Sequence, residues 1–210
     1  MQQAETAIVL AGFQAYRARL MDRALGRDMD VKPELFGQRL GLRLVTPEDA
    51  AFIYGLRTDP AYNQHLSRVT GTIEDQRAWI HAYKAREAAG EEYYYIIERR
   101  DNGRPCGVVR LYDIEGDCFT WGSWILNADK PPRAALESAL LSFCVGFEGL
   151  GLQRVVLDVR RANARAIAFY RRFGMSEAGQ DTENLYFTLS REDFRKNRDE
   201  FMRILQGQAA

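Results

Sequence analysis

The spacing of apolar and polar positions divides the chain into helical and extended segments. Val9, Phe13, Tyr16, Leu20 and Ala24 recur at steps of three and four and line one face of a helix that Gly26 can stop. That face packs on the domain's own core or on a second copy of the chain. Residues 29–41 carry Asp, Lys, Pro and Gly and read as a linker. Leu42, Leu44 and Val45 predict a first strand. Thr46-Pro47-Glu48-Asp49 then starts a helix, with Thr46 as cap and Pro47 in the first turn. Asp59-Pro60 breaks that helix, and Thr72 to Asp75 cap a second one bearing Trp79, Ile80 and Tyr83.

An extended region follows. Residues 93–98 are aromatic and β-branched, Asp101-Asn102-Gly103 is a hairpin turn signal, residues 107–114 return, and residues 119–126 form the next strand. The pattern then predicts a helix over 133–148, a buried strand over 155–159, a helix over 164–173 closed by Gly174, a strand over 185–189, and a last polar helix capped by Ser190. Helices, an antiparallel meander and then alternating strands and helices make an α/β (α+β) fold, a mixed and mostly antiparallel sheet flanked by helices. The organisation expected is an N-terminal helical extension and linker over 1–41 and one domain over 42–210.

Composition narrows the function. The 210 residues suit one domain with an appendage, and 46% hydrophobic residues supply a sizeable core. Acidic and basic residues balance at 29 each with no dense basic run, which argues against a nucleic-acid partner. No apolar stretch is long enough to cross a membrane, and the start MQQAET does not read as a secretory signal. Cys106, Cys118 and Cys144 form no CxxC pair, and two histidines make a zinc site unexpected. A cytoplasmic chain with reduced thiols is the simplest reading.

The chemistry concentrates between Trp121 and Met175. The run Asn163-Ala-Arg-Ala166-Ile167-Ala-Phe169-Tyr170-Arg-Arg-Phe173-Gly174 closely resembles the late strand-loop-helix motif of the GNAT superfamily of N-acetyltransferases, Asn-x-x-Ala-Ile-x-x-Tyr followed by two residues, an aromatic or Leu, and Gly. Residues 149–159 and the Thr58-Asp59-Pro60 region are also similar to the family, so that the resemblance runs from Leu42 to Asp193. It implies a GNAT-like sheet with splayed central parallel strands, acetyl-CoA as acyl donor and an amine as acceptor.

On the residues alone, Asn163 caps a helix or bonds a ligand, and Tyr170 lies two turns later on the same face. The resemblance gives both a place on the pantetheine arm, with Ala166 and Phe169 beside it and Tyr170 as the acid that protonates the leaving thiolate. The family's pyrophosphate loop, Arg/Gln-x-x-Gly-x-Gly/Ala, aligns with Lys130-Pro131-Pro132-Arg133-Ala134-Ala135. The basic residue persists as Lys130 and the last small one as Ala135, whereas Arg133 replaces the middle Gly and two prolines remove two backbone donors. Backbone N–H groups of Arg133, Ala134, Ala135 and Leu136 at a helix start still suit an anion, and Lys130 and Arg133 can add charge.

Gly122 inside the strand Phe119 to Leu126 suggests a bulge or a close backbone approach, or simply two tryptophans in the core. The resemblance puts the backbone of Ser123 and Ile125 on the arm. For the base that must deprotonate the amine, Asp113 and Glu115 are candidates at the end of the preceding strand, with His65 in the early loop and Glu137 in the first turn of the phosphate helix, where it also complements the dipole. Residues 111–114 with 119–124 look most like the branch that acetylates nucleotide-linked deoxyamino sugars. His65, Arg68, Tyr112 and Trp121 would then hold the acceptor. Residues 185–194 are similar to a broader branch that includes ribosomal-protein N-terminal acetyltransferases. A small-molecule amine is the expected acceptor. A protein N-terminus, a silent acyl-CoA-binding module and a ligand-free interaction protein are the alternatives.

Overall fold

In a computed structural model, the structure describes residues 34–207. The helix expected around Val9 to Ala24 lies outside the described residues. The elements run β1 (Glu34–Phe36), β2 (Leu40–Leu44), a short 3-10 turn (Pro47–Asp49), α1 (Ala50–Thr58), α2 (Ile73–Ala88), β3 (Tyr93–Arg99), β4 (Pro105–Glu115), β5 (Cys118–Leu126), α3 (Ala134–Cys144), a π-helical turn (Val145–Gly149), β6 (Arg154–Arg160), α4 (Ala164–Arg172), β7 (Ser176–Gln180), β8 (Asn184–Ser190) and α5 (Arg191–Leu205). The strands form one sheet in the order β1-β2-β3-β4-β5-β6-β8-β7. Every neighbouring pair is antiparallel except β5 with β6.

The Thr72 and Ser190 capping signals act as read, whereas Thr46 opens a 3-10 turn in which Asp49 N–H donates to its backbone O at 3.0 Å. Thr72 N–H donates to Asp75 Oδ2 at 2.7 Å while Asp75 N–H donates to Thr72 Oγ1 at 3.2 Å, the reciprocal pair that starts α2. Asp193 N–H donates to Ser190 Oγ at 3.1 Å at the start of α5. Strand alternation sorts side chains onto two faces. Val109, Leu111, Phe119, Trp121, Val155, Leu157 and Val159 join α3, α4 and α5 in the larger core. Tyr94, Ile96, Val108 and Ile125 join α1 and α2 on the opposite face.

The domain starts before Leu42. Residues 34–41, read as linker, hold β1 and the beginning of β2, and Leu35 and Leu40 are buried in the larger core. This hairpin is tied down by Glu137 of α3, whose Oε1 accepts from the N–H groups of Arg39 at 2.8 Å and Leu40 at 3.1 Å. Gly37 leaves room for that carboxylate, since a Cβ there would lie 2.3 Å from Oε1. The other strand absent from the sequence reading is β7. All five of its residues are exposed, so no alternation marks it.

Candidate active site

β5 and β6 pair over Cys118↔Arg154, Phe119↔Val155 and Thr120↔Val156, and no further. β5 stays paired with β4 as far as Leu126↔Gly107, and β6 with β8 as far as Arg160↔Asn184. The sheet therefore opens between the two parallel strands, with residues 121–126 on one side and 157–160 on the other left without a strand partner across the gap. Backbone donors and acceptors facing such a gap need a ligand or water.

A bulge shapes the β5 side of the gap. Val108 pairs with Ile125 but Arg110 pairs with Gly122, so β5 has one more residue than β4 across this stretch. Ser123 takes a left-handed φ of 49° there. The extra residue reverses the alternation. Trp121 and Trp124, three apart, both reach the larger core, while Ile125 joins the opposite one. Trp121 Nε1 donates to Ser142 Oγ at 2.8 Å, and Trp124 Nε1 donates to Ser138 Oγ at 3.1 Å. Both hydroxyls donate back to the α3 backbone, Ser142 to Ser138 O at 2.8 Å and Ser138 to Ala135 O at 3.3 Å, so each buried polar group is satisfied. Two expectations for Trp121 thereby separate. It belongs to the core, 2% exposed, which leaves little ring surface for an acceptor.

α4 supplies the floor. Asn163 is its N-cap, with Oδ1 accepting from Ala166 N–H at 3.1 Å. Tyr170 is 7% exposed and sits among Trp121, Trp124, Phe169 and Phe187, with ring centroids 5.5–6.5 Å from its own. Burial raises the pKa of its phenol, and the Asp158 carboxylate pushes it the same way, so the hydroxyl keeps its proton through the neutral range. Half-buried Phe169 packs on Trp124 at 5.1 Å.

The loop between β5 and α3 is built differently from its sequence reading. Lys130 Nζ donates to Asn127 O at 3.1 Å. Ala134 N–H is used by Pro131 O at 3.2 Å, whereas no described backbone carbonyl accepts from Ala135 or Leu136 N–H. Those two donors remain at the helix start, the arrangement that favours an anion. Arg133 is left-handed, φ 65°, which explains why the family pattern has Gly at this place. Its guanidinium is turned to the end of α5. It donates to Ile204 O and, at 3.3 Å, to Leu205 O at the C-terminal end of α5, where a cation is favoured.

On the opposite face of the sheet, Tyr112 is half-buried and its hydroxyl lies over Gly122, 2.9 Å from where a Cβ would stand. Burial raises the Tyr112 pKa, and Asp158 adds to the rise. The Arg110 guanidinium lies between Tyr112 and Trp79, 4.8 and 5.2 Å from their ring centroids. Glu92 holds both Arg110 and, at 2.7 Å, Arg86. His65 is half-exposed and Arg68 exposed in the loop between α1 and α2. Asp113 is exposed at a second bulge, with φ 48°. Glu115 pairs with Cys118, where the parallel strands are joined, and so sits at the closed end of the gap and not at its mouth.

The sequence reading did not single out Asp158. It is an exposed position on β6 between buried Leu157 and Val159, two residues past Val156, the last residue that pairs with β5. The only signal was a charged residue inside an otherwise apolar strand. Arg110 and Glu92 were likewise not singled out, because Glu92, just before β3, meets Arg110 of β4 and Arg86 of α2 only once the β3–β4 hairpin packs on that helix.

Comparison with known proteins agrees with this geometry. The family model described as Acetyltransferase (GNAT) domain matches residues 39–176. No curated protein gives a significant match by sequence. Among solved structures, apo FdhC, described as a nucleotide-linked sugar GNAT, is 39% identical, with a TM-score of 0.75 over 85% of this chain and 98% of that one. The ribosomal-protein-S5-alanine acetyltransferase from Vibrio fischeri (12% identity, TM-score 0.67, 79% of this chain and 99% of that one) shares the fold. So does spermidine N-acetyltransferase from Vibrio cholerae, solved with CoA and spermine (16% identity, TM-score 0.66, 76% and 99%). The half-open sheet, the Asn163 to Gly174 motif within it and a family match across most of the domain converge on one assignment: the chain belongs to the GNAT acetyltransferase family.

Proposed function

We propose that this protein transfers an acetyl group from acetyl-CoA to the primary amine of a nucleotide-linked amino sugar. The observation that carries the acceptor class is the 39% identity with FdhC, described as a nucleotide-linked sugar GNAT, across almost all of that chain. The acceptor face of the gap suits such a substrate. Tyr112 and Trp79 offer aromatic surface, and Arg86 with Arg110 bring two positive charges against the single carboxylate of Glu92.

The residues fit coenzyme A on the other face. The unpaired edge of β5 over 121–126, including Ser123 and Ile125, offers backbone groups to the amides of a pantetheine arm. Ala135 and Leu136 N–H would receive the pyrophosphate, with Lys130 near it. Asn163, Ala166 and Phe169 would line the arm. When bound, the cofactor supplies an activated acyl thioester. Tyr170, protonated and held at the floor of the gap, would donate its proton to the departing sulfur.

A thiol-release assay tests the reading. Acetyl-CoA is offered with UDP-glucosamine, a thymidine-diphosphate-linked amino-deoxyhexose, spermine or an alanine-terminal peptide. Turnover is expected with a sugar nucleotide. Turnover confined to spermine or the peptide would overturn the acceptor class, and calorimetry without acetyl-CoA binding would overturn the cofactor.

A further inference from the structure

The gap has two faces with different chemistry. Trp124, Phe169 and Tyr170 lie on the side of the larger core, and Arg110, Tyr112 and Gly122 on the other. An amine that reaches a thioester from the second face arrives as an ammonium ion and must lose a proton before its nitrogen can attack. The acidic residues around that face differ in their freedom to take it. Glu92 is buried and held by Arg86 and Arg110. Glu115 is at the closed end of the gap. Asp113 lies on the far side of β5, beside the still-paired Thr120. Asp158 is exposed, and its carboxylate has neither hydrogen bond nor ion pair among the described residues.

We propose that Asp158 is the catalytic base that removes the ammonium proton of the acceptor. Four observations of place support this. β6 loses its β5 partner after Val156, so Asp158 is the next residue on the same face and stands at the opening. It alternates with Leu157 and Val159, which are buried in the larger core, and therefore projects to the acceptor face. Its backbone is fixed by continued pairing with Tyr186 of β8, so a loop movement is not needed to bring it into position. Its charge is felt by the phenols of both Tyr112 and Tyr170, one from each face, which puts it near the passage between them.

The proton balance closes. Asp158 takes one proton from the ammonium group. The freed nitrogen bonds to the thioester carbon, the C–S bond breaks, and Tyr170 gives its proton to the leaving sulfur. The nitrogen sheds a second proton on becoming an amide, and through solvent this restores the phenol. Asp158 passes its own proton to solvent, so each turnover releases one. The groups around Asp158 are Tyr112 from β4, Tyr170 from α4 and Tyr186 from β8, all neutral as phenols, with Arg160 farther along the strand held by Glu183.

This inference rests on the proposed acetyl transfer, and the test separates the two. Wild type, Asp158→Asn, Asp158→Glu and Tyr170→Phe are compared as the full chain. Acetyl-CoA affinity is read by calorimetry, and kcat/KM between pH 6.5 and 9.5 with the best amine of the panel above. The Asn variant is expected to bind acetyl-CoA within about twofold of wild type and to lose about 10²–10³ in kcat/KM at pH 7. The loss should shrink as pH approaches the amine's own pKa, where solvent has already removed the proton. The Glu variant should recover part of the activity, and Tyr170→Phe should show no such recovery with pH. Asn activity within about threefold of wild type throughout, a loss that is flat with pH, or a parallel loss of acetyl-CoA affinity would each overturn the assignment. A wild type that turns over none of the amines overturns the proposed function, and the base with it.

Discussion

Tyr170 meets Trp121 edge to face, with ring centroids 6.1 Å apart and planes at 86°. Trp121 is in turn fixed to α3 through Ser142, so among the described residues the phenol is positioned by packing and not by a hydrogen bond of its own. Phenylalanine at 170 keeps that packing and removes only the hydroxyl, the proposed acid. The turnover number of Tyr170→Phe should fall by about 10²–10³ while acetyl-CoA affinity changes little. Steady-state kinetics beside calorimetry check this, and turnover near wild type would mean that water protonates the thiolate.

Arg133 combines a left-handed backbone with a side chain that caps α5. A left-handed non-glycine residue costs about 1–2 kcal/mol, and hydrogen bonds from a charged group contribute about 1.5–3 kcal/mol, less where exposed. Alanine keeps the strain and loses the cap, so Arg133→Ala should be the least stable form. Arg133→Gly relieves the strain and should unfold about 1 kcal/mol later than the alanine variant. Urea denaturation reads the order. Acetyl-CoA affinity should move only a few-fold in either, because the loop's backbone would carry the phosphate.

Glu137 accepts two backbone N–H bonds from the β1–β2 hairpin while 1% exposed. Glu137→Ala leaves the buried Leu40 donor and the part-buried Arg39 donor without a partner and should cost about 2–4 kcal/mol. Gly37→Ala drives a methyl group into the same carboxylate oxygen. The two losses should be far from additive when combined, since either one breaks the same contact. Thermal or urea unfolding of the single and double variants decides it.

Asp49 links β2 to α1, with its two carboxylate oxygens each 2.7 Å from the Arg43 guanidinium. Burial pushes its pKa up, but the hydrogen bonds from Arg43 and Thr46 outweigh that, and the net shift is downward. A depressed folded pKa gives stability that is present above the unfolded carboxylate value, about 3.9, and lost as pH falls through the folded one. Wild type should therefore exceed Asp49→Asn in stability at pH 6, and the difference should shrink below about pH 4. Unfolding curves at both pH values measure it.

Most of the architecture was legible because periodicity and capping are local. Thr72, Ser190 and the Asp101 to Gly103 turn fell where the sequence put them, and the Asn163 to Gly174 motif placed α4. The misses are non-local. β1 is held by a carboxylate about a hundred positions away, and β7 is an exposed edge with no alternation to read. Trp124 reaches the larger core beside Trp121 only through the inserted Ser123, which strand alternation alone does not reveal. Arg133 looked like a phosphate ligand until the end of α5 was beside it. Asp158 could not stand out before the last paired residue of β6 was known.

The parallel strands share three residue pairs, while each stays paired along its outer edge, β6 without a break and β5 across two bulges. The inner edges are thus the place where this sheet lacks a strand. Backbone amides facing the gap should exchange with deuterated solvent quickly, although they belong to the middle of the sheet and not to its rim. A ligand carrying amides along an extended chain would add a ninth, partial strand to the eight of this sheet, and those same amides should become slow when it binds. Protection that appears across 121–126 on adding acetyl-CoA would register the cofactor as a structural member of the sheet.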